Sequence, residues 1–266
     1  MSIGPRIRSW RQTRGLSQFE LASRAGFSVR HVSFIETGRA HPSREAVLAL
    51  GEVLDLTLRD RNRLLESAGF ASVFHETPLS ADQMAHMRDM LQFILDRHLP
   101  YAAIVVDRHW NCLMSNLAAA RFFSMLISPS LATQNNVLRS TFHPEGSRRW
   151  IVNWPEVERD LLNRAELELG SQDSGGTALL AEIRSYASAP TEVNSHAVPR
   201  LGDLLLPIHI HVGGLDLRLF TTIMTLGTPQ DVTLQELRIE TFFPADRQSE
   251  RCWMQNFGEL RKPTMS

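Results

Sequence analysis

Apolar residues in the first 70 positions recur at the three- and four-residue spacing of short amphipathic helices. Ile3, Ile7 and Trp10 mark the first helix, and Gly15 ends it. Four further helical patterns each follow a capping signal, at Ser17, Ser28, Pro42-Ser43 and Thr57. None of these helices is long enough to be stable alone, so the pattern predicts one compact five-helix domain over residues 1–70.

Gly26 lies between the second and third predicted helices. A glycine can adopt the left-handed backbone conformation that a tight turn needs. Two helices joined by a turn of about three to four residues have the geometry of a helix-turn-helix. The spacing therefore predicts this motif, with its second helix beginning after Ser28.

The pattern changes to that of strands after Leu99. An apolar run over 101–106, a turn and a second extended run predict a β-hairpin, and Asn116 then begins a helix. A mainly helical insert at roughly residues 145–190 is followed by three more strand-like runs: Leu204–Val212, Leu215–Thr225 and Leu234–Phe243. In the last run, Leu237, Ile239, Thr241 and Phe243 alternate with Arg238, Glu240 and Phe242, which predicts a half-buried strand. This order predicts an α+β domain with one antiparallel sheet and a helical cover.

Residues 71–98 connect the two predicted domains. A Pro-containing segment precedes a helical pattern from Ala81 to His98, in which Met84, Met87 and Met90 recur at helical spacing. Because methionine tolerates imprecise packing, this stripe fits a dimer seam, a connector helix packed on the second domain, or plain core packing. At the other end of the chain, residues 248–266 are predicted to form a C-terminal tail.

Composition narrows the class of protein. The chain of 266 residues is 43% apolar and 21% charged, which is typical of a soluble globular protein of about two domains. It has neither an apolar run of about 18 residues nor a secretory signal pattern, so we expect a cytoplasmic protein without membrane contact. Cys112 and Cys252 have no CxxC partner, which disfavours a disulfide framework or a cysteine zinc site and predicts two reduced, buried thiols.

Charge is unevenly distributed along the chain. The overall net charge is −1, but residues 1–70 hold eleven arginines against seven acidic residues and are therefore +4. A basic helical module attached to a mildly acidic body is typical of a protein in which one domain meets phosphate.

The segment LSQFELASRAGFSVRHVSFIETGRAHPS, residues 16–43, resembles the lambda-repressor-like domain of the XRE family of bacterial regulators, and the resemblance covers residues 3–70. It implies double-stranded DNA as a partner. The alternative is a helical bundle without a nucleic-acid role. A recognition helix enters the major groove with its N-terminal residues leading, which places Val29, Arg30, His31 and Phe34 near base edges and Gln18, Ser28 and Arg39 near phosphates. In related domains Arg11 and Glu36 occupy the positions of an internal salt bridge.

The motifs DRHWNCLMSNLAAARFF, NWPEVERDLL and LRLFTTIMTLGTPQDVTLQELRIETFFPAD resemble the PAS-like ligand-binding domain of MmyB-type regulators over about residues 99–247. The resemblance implies a pocket that, in a related protein, accommodates a fatty acid. Relatives commonly have an aromatic residue where this chain has Ser115. The candidate ligand-binding residues are Trp110, Asn116, Phe122, Arg148, Trp150, Trp154, His209 and Thr222.

Catalytic motifs are missing from the sequence. Neither GxSxG, HExxH, Walker A nor GxGxxG occurs, and His209 with His211 fits a solvated strand face better than a metal pair. We therefore predict a homodimeric transcription regulator without enzymatic activity, cofactor or metal, whose second domain senses an apolar small molecule. The alternatives are a constitutive repressor with a purely dimerising second domain, or an enzyme fused to a DNA-binding module.

Overall fold

The computed structural model describes residues 2–169, 174–187 and 206–260. The chain divides into two compact units. Unit 1 consists of Met1–Ala81 together with Leu226–Gln235, and unit 2 of Asp82–Thr225 together with Glu236–Ser266. The first unit is thus larger than the sequence predicts, because it includes the connection from 71 to 81 and a distant ten-residue segment.

Unit 1 contains the five predicted helices: α1 (Ile3–Thr13), α2 (Gln18–Ala25), α3 (Val29–Glu36), α4 (Arg44–Val53) and α5 (Leu58–Ser67). The side chains of Ser17, Ser28, Ser43 and Thr57 each accept a backbone N–H in the first turn that follows, as the capping pattern predicts. Gly26 has φ 73°, so the turn between α2 and α3 uses the left-handed conformation. The predicted helix-turn-helix is confirmed.

Helix α1 packs very closely against the C-terminal end of α3. A Cβ added at Gly4 would lie 2.5 Å from the carbonyl oxygen of Ile35, so a larger residue does not fit there. Ile7, Leu21 and Val32 are fully buried in the core between these helices. This packing fixes the position of α3 within unit 1.

The segment Leu226–Gln235 is held in unit 1 by specific hydrogen bonds. The Gln235 side chain accepts the Leu58 backbone N–H at the start of α5 at 2.6 Å. The Asp231 carboxylate accepts the Thr77 N–H at 3.1 Å, and the Val232 N–H donates to the carbonyl of His75 at 2.8 Å. Part of the connection between two strands of unit 2 is therefore built into unit 1.

Unit 2 has a five-stranded antiparallel sheet in the order β2-β1-β5-β4-β3. The strands are β1 (Ala103–Val106), β2 (Cys112–Ser115), β3 (Ile208–Val212), β4 (Leu215–Met224) and β5 (Arg238–Pro244). The helices of unit 2 are α6 (Ala85–Arg97), α7 (Leu117–Leu126), α8 (Pro129–Ala132), α9 (Val137–Phe142), α10 (Trp154–Leu169), α11 (Ser174–Tyr186) and α13 (Arg247–Phe257). Helix α12 (Val232–Glu236) lies between β4 and β5 in the chain, and all but its last residue belongs to unit 1. The predicted α+β architecture is confirmed.

Three details of the predicted elements are wrong. The run from Leu234 does not begin as a strand, because Val232–Glu236 forms α12. Residues 248–260 are not a tail: α13 places Trp253 and Phe257 in the core of unit 2. Strand β3 begins at Ile208 rather than at Leu204, and residues 204 and 205, like 261–266, lie outside the described part of the chain.

Strand β5 is covered on both faces, contrary to the half-buried strand that the alternation predicts. On one face, Ile239 and Thr241 are buried, and the ring of His98 contacts Phe243. On the opposite face, Glu240 and Phe242 are buried beneath the helices that follow β2. Charged residues of β5 are therefore placed inside unit 2.

Candidate DNA-binding surface and ligand cavities

The start of α3 forms an exposed edge of unit 1. Ser28 caps the helix by accepting the His31 N–H at 3.2 Å, and Val29 is 40% exposed. The Arg30 guanidinium lies over the Phe34 ring, 5.1 Å from its centroid, which favours one orientation of this long side chain. The four residues predicted to face base edges thus lie on the first turn and a half of one accessible helix.

Gln18 and Arg39 flank this helix. The Gln18 amide nitrogen donates one hydrogen to Glu36 at 2.7 Å, which leaves its second hydrogen for another acceptor. Arg39 follows Gly38 after the end of α3 and is exposed. Both positions remain suitable for phosphate contacts.

The predicted salt bridge between Arg11 and Glu36 is present. The guanidinium donates to both carboxylate oxygens, at 2.6 and 3.0 Å, and Glu36 is buried. The hydrogen bond from Arg11 to Glu36 raises the pKa of Arg11, so the guanidinium stays positively charged. This pair links α1 to α3 and supports the recognition helix from behind.

Phe19 is an exposed residue that was not among the predicted site residues. Its side chain is 68% exposed on the first turn of α2. Although Phe19 is apolar, the buried positions of α2 are Leu21 and Ala22. An exposed aromatic ring beside the capping box of α2 is a further candidate for contact with DNA.

Unit 2 contains a surface-connected cavity of about 230 Å³. Its walls come from β2, α7 and the α8–α9 region, and they include Cys112, Ser115, Ala119, Phe123, Asn136 and Val137. Exposed residues such as Ser124 and Asn135 also line it, so it opens to solvent. No charged side chain is among its lining residues. We call this the outer cavity.

A smaller cavity of about 80 Å³ lies deeper, and we call it the inner cavity. It is lined by apolar residues of the sheet and helices, among them Phe122, Leu138, Ile210, Leu219 and Phe242. Four residues, Phe123, Val137, Thr141 and Ser147, line both cavities. The two spaces are therefore neighbours that share a thin wall.

The charged residues that line the inner cavity are Arg164 and Glu240. Arg164 donates to Glu240 at 2.5 Å and to Glu168 at 2.8 Å, and Arg238 also pairs with Glu168. Burial lowers the pKa of Arg164, but the adjacent carboxylates of Glu240 and Glu168 more than offset this and raise it, so Arg164 stays charged. Of these four residues Glu240 is buried and Glu168 is exposed, and we call the four the ion network.

Trp110 contacts this network and also lines the inner cavity. It is 1% exposed and lines the cavity. The guanidinium groups of Arg164 and Arg238 lie 4.2 and 5.0 Å from the centroid of its ring. Its indole Nε1 is buried and has no hydrogen-bond partner among the described residues. A buried N–H donor without an acceptor is costly, by about 1–3 kcal/mol.

Trp110 and Phe122 are thus the predicted ligand residues that the structure places at a cavity. Six others lie outside both cavities: Asn116, Arg148, Trp150, Trp154, His209 and Thr222. In each case the side chain has a contact elsewhere in the fold.

Polar interactions within the fold account for four of these six. Asn116 caps α7 and donates to the carbonyls of Leu95 and Tyr101. Arg148 donates to the carbonyl of Tyr186 at 2.5 Å. The remaining two contacts are on the strands: His209 pairs with Asp216 at 2.6 Å, and Thr222 bonds Thr241 at 2.6 Å.

The two tryptophans among the six have packing roles. Trp150 donates its Nε1 hydrogen to the carbonyl of Leu126 at 3.1 Å. Trp154 packs edge-on against Phe142 at 5.3 Å between ring centroids. Thr221, one position before Thr222, lines the inner cavity.

Cys112 and Cys252 are half-buried rather than buried. Cys112 lines the outer cavity, and burial raises the pKa of its thiol to about 11. A neutral thiol is a poor nucleophile, so Cys112 contributes an apolar wall to the cavity.

Within the described ranges, no helix is long and apolar enough to span a bilayer. Residues 2–64 match a helix-turn-helix domain model. Together with the exposed start of α3, this defines a DNA-binding transcription regulator. Residues 87–253 match the MmyB-like transcription regulator ligand binding domain. Because this match spans more than half of the chain, the chain belongs to that family.

A curated relative and a solved structure are similar over shorter stretches. The HTH-type transcriptional regulator DdrOP3 of Deinococcus deserti is 37% identical over 70 residues, which are 26% of this chain. The match covers 52% of the relative, so the chain spans about half the length of the curated relative it matches. A SinR protein/SinI protein complex is 24% identical over 35% of this chain and 96% of the solved chain, with a TM-score of 0.21.

Proposed function

We propose that this chain is a cytoplasmic, homodimeric regulator that reads an operator through α3 and senses an apolar small molecule in a PAS-like unit 2, without catalysis or a cofactor. The observation that carries this proposal is the pair of adjoining, largely apolar cavities in unit 2, joined by the chain to a helix-turn-helix unit. Membership of a ligand-binding family supports it.

The DNA contacts follow from the geometry of α3. Arg30 can donate to O6 and N7 of a guanine, and Val29 or Phe34 can pack on a thymine methyl group. His31 lies on the same helical turn and can also reach a base edge. Gln18, Ser28 and Arg39 flank the helix and fit phosphate contacts, which set the register of the protein on the duplex.

The ligand that the cavities favour is apolar and resembles an acyl chain or a fatty acid. Each buried methylene contributes about 0.8 kcal/mol, so a chain can bind without elaborate polar recognition. An engineered cavity of about 150 Å³ is large enough for benzene, and the outer cavity is larger than that at about 230 Å³.

A homodimer is proposed because one helix-turn-helix module buries only about 600–1,000 Å² on DNA. Helix α6 packs on the sheet through Leu91 and Leu95, as a connector helix should, while Met90 and Phe93 remain exposed. The exposed pair supports a dimer seam on α6. A ligand can shift the spacing of two recognition helices only through its different affinities for the two arrangements.

DNA titrations test the reading of the operator. Arg30→Ala should weaken operator binding by about 1–3 kcal/mol and leave binding to random DNA nearly unchanged. Arg39→Ala and Gln18→Ala should instead weaken binding to all sequences, and Arg39→Ala should lower the salt slope by about one unit. Equal losses for Arg30→Ala on operator and random DNA would contradict the assigned base contact.

Native mass spectrometry of the full chain purified from cells tests the sensing function. We expect a small apolar molecule that leaves on extraction with organic solvent. If extracted protein binds operator with unchanged affinity and takes up no apolar compound, unit 2 is a constitutive dimerisation module.

A further inference from the structure

One end of the inner cavity is polar, and a hydrogen-bond donor there has no acceptor in the described part of the chain. Trp110 Nε1 is a buried donor without an acceptor among the described residues, and Trp110 lines the inner cavity. Buried donors in folded proteins almost always have a partner. The missing partner at a cavity wall is therefore best supplied by an atom of the ligand.

The charges at this end are already balanced. Arg164 is shared between Glu240 and Glu168, and Arg238 pairs with Glu168. Two guanidinium groups and two carboxylates cancel, and Glu240 itself lines the cavity. A ligand carboxylate entering here would meet the Glu240 carboxylate in a medium of low dielectric constant without gaining an unpaired cation.

The outer cavity provides no cation either. Its polar lining consists of hydroxyl, amide and neutral thiol groups. Arg148, one of the candidate ligand-binding residues, lies outside both cavities and donates a hydrogen bond to the carbonyl of Tyr186.

We propose that the inner cavity binds an uncharged oxygen acceptor, such as a ketone or ester carbonyl, through a hydrogen bond from Trp110 Nε1, and that it rejects a free carboxylate. The apolar part of the ligand then extends past Phe123 into the outer cavity, since that side chain lines both spaces. This inference rests on the proposed sensing function and specifies its ligand class: a neutral, chain-like carbonyl compound rather than an ionised fatty acid.

Three probes of equal carbon number test the proposal on the solvent-extracted full chain: octane, 2-octanone and octanoate at pH 8. The readout is the set of indole N–H resonances in a two-dimensional nitrogen-proton NMR spectrum, in which Trp110→Phe identifies the Trp110 signal. We expect 2-octanone to move this signal downfield and to bind at least tenfold more tightly than octanoate. Trp110→Phe should bind 2-octanone about tenfold more weakly and octane with unchanged affinity.

Glu240→Gln provides the charge test with little change of shape. It keeps an oxygen for Arg164 but removes one negative charge, so octanoate should bind at least tenfold more tightly while 2-octanone changes less than about threefold. Thr222→Val, on the opposite face of the sheet, serves as the matched control and should change neither affinity.

The possible failures are distinguishable. If octanoate binds wild-type protein as tightly as 2-octanone, or if Trp110→Phe binds 2-octanone normally, the neutral-acceptor site is wrong while the sensing function stands. If none of the three probes moves any resonance of unit 2, both the site and the sensing function fail.

Discussion

Each unit of this protein has an arginine–glutamate pair in its interior. The two pairs differ in whether all the polar groups around them have hydrogen-bond partners. In unit 1, Glu36 accepts from Arg11 and Gln18, and Arg11 also donates to the carbonyl of Leu16 at 2.7 Å. In unit 2, the pair of Arg164 and Glu240 borders a cavity and leaves the neighbouring Trp110 N–H unmatched. The pair in unit 1 has all its partners and supports the fold, whereas the pair in unit 2 lies at the cavity that we propose as a binding site.

The largest expected effect tests the structural pair. Glu36→Ala leaves the Arg11 guanidinium buried without its acceptor and should lower the free energy of unfolding of unit 1 by about 3–5 kcal/mol. Urea unfolding of the full chain, followed by circular dichroism, measures this. The exposed Glu52→Ala on α4 is the control, and a loss no larger than its own would contradict the supporting role of the pair.

A smaller effect distinguishes the solidly packed core of unit 2 from its outer cavity. Ala118 and Ala119 are neighbours on α7 and both are fully buried, but only Ala119 lines the outer cavity. Ala118→Leu overpacks the core and should cost about 1–3 kcal/mol. Ala119→Leu has space to enter, so we expect a change below about 1 kcal/mol together with weaker binding of 2-octanone. Equal destabilisation in thermal unfolding would show that the cavity does not accept a side chain.

The smallest expected effect concerns the reactivity of the Cys112 thiol and involves no change in the stability of the protein. The pKa of Cys112 is raised from 9.0 to about 11, so its thiolate fraction at neutral pH is lower than that of an ordinary cysteine. In a Cys252→Ser background, the rate of alkylation by iodoacetamide should keep rising about tenfold per pH unit through pH 10. A plateau near pH 9 would indicate a solvated thiol, and bound 2-octanone should slow the reaction further.

Local patterns were sufficient to predict the five N-terminal helices of unit 1. The caps at Ser17 and Ser28, the turn at Gly26 and the apolar spacing all act within a few residues, so they are readable without a structure. The pair of Arg11 and Glu36 came from the family resemblance. Phe19 was missed because spacing alone does not show which apolar residue of a short helix stays outside.

The site in unit 2 was only partly predictable, because its groups meet across long separations. Arg164 and Glu240 are 76 positions apart, and the alternation along β5 gives no sign that its charged face is buried. Aromatic residues such as Trp110 and Phe122 were predicted because large apolar rings line cavities. Polar candidates such as Asn116 line neither cavity, because their side chains form hydrogen bonds with the backbone around them.

The segment Leu226–Gln235 means that the chain passes from one unit to the other three times. A gene fragment that stops at residue 81 would encode all five helices of unit 1 and yet omit Gln235, the acceptor for the first N–H of α5. To exchange the DNA-binding unit of this regulator for that of another, two parts of the chain must therefore be replaced: the N-terminal region and the segment Leu226–Gln235.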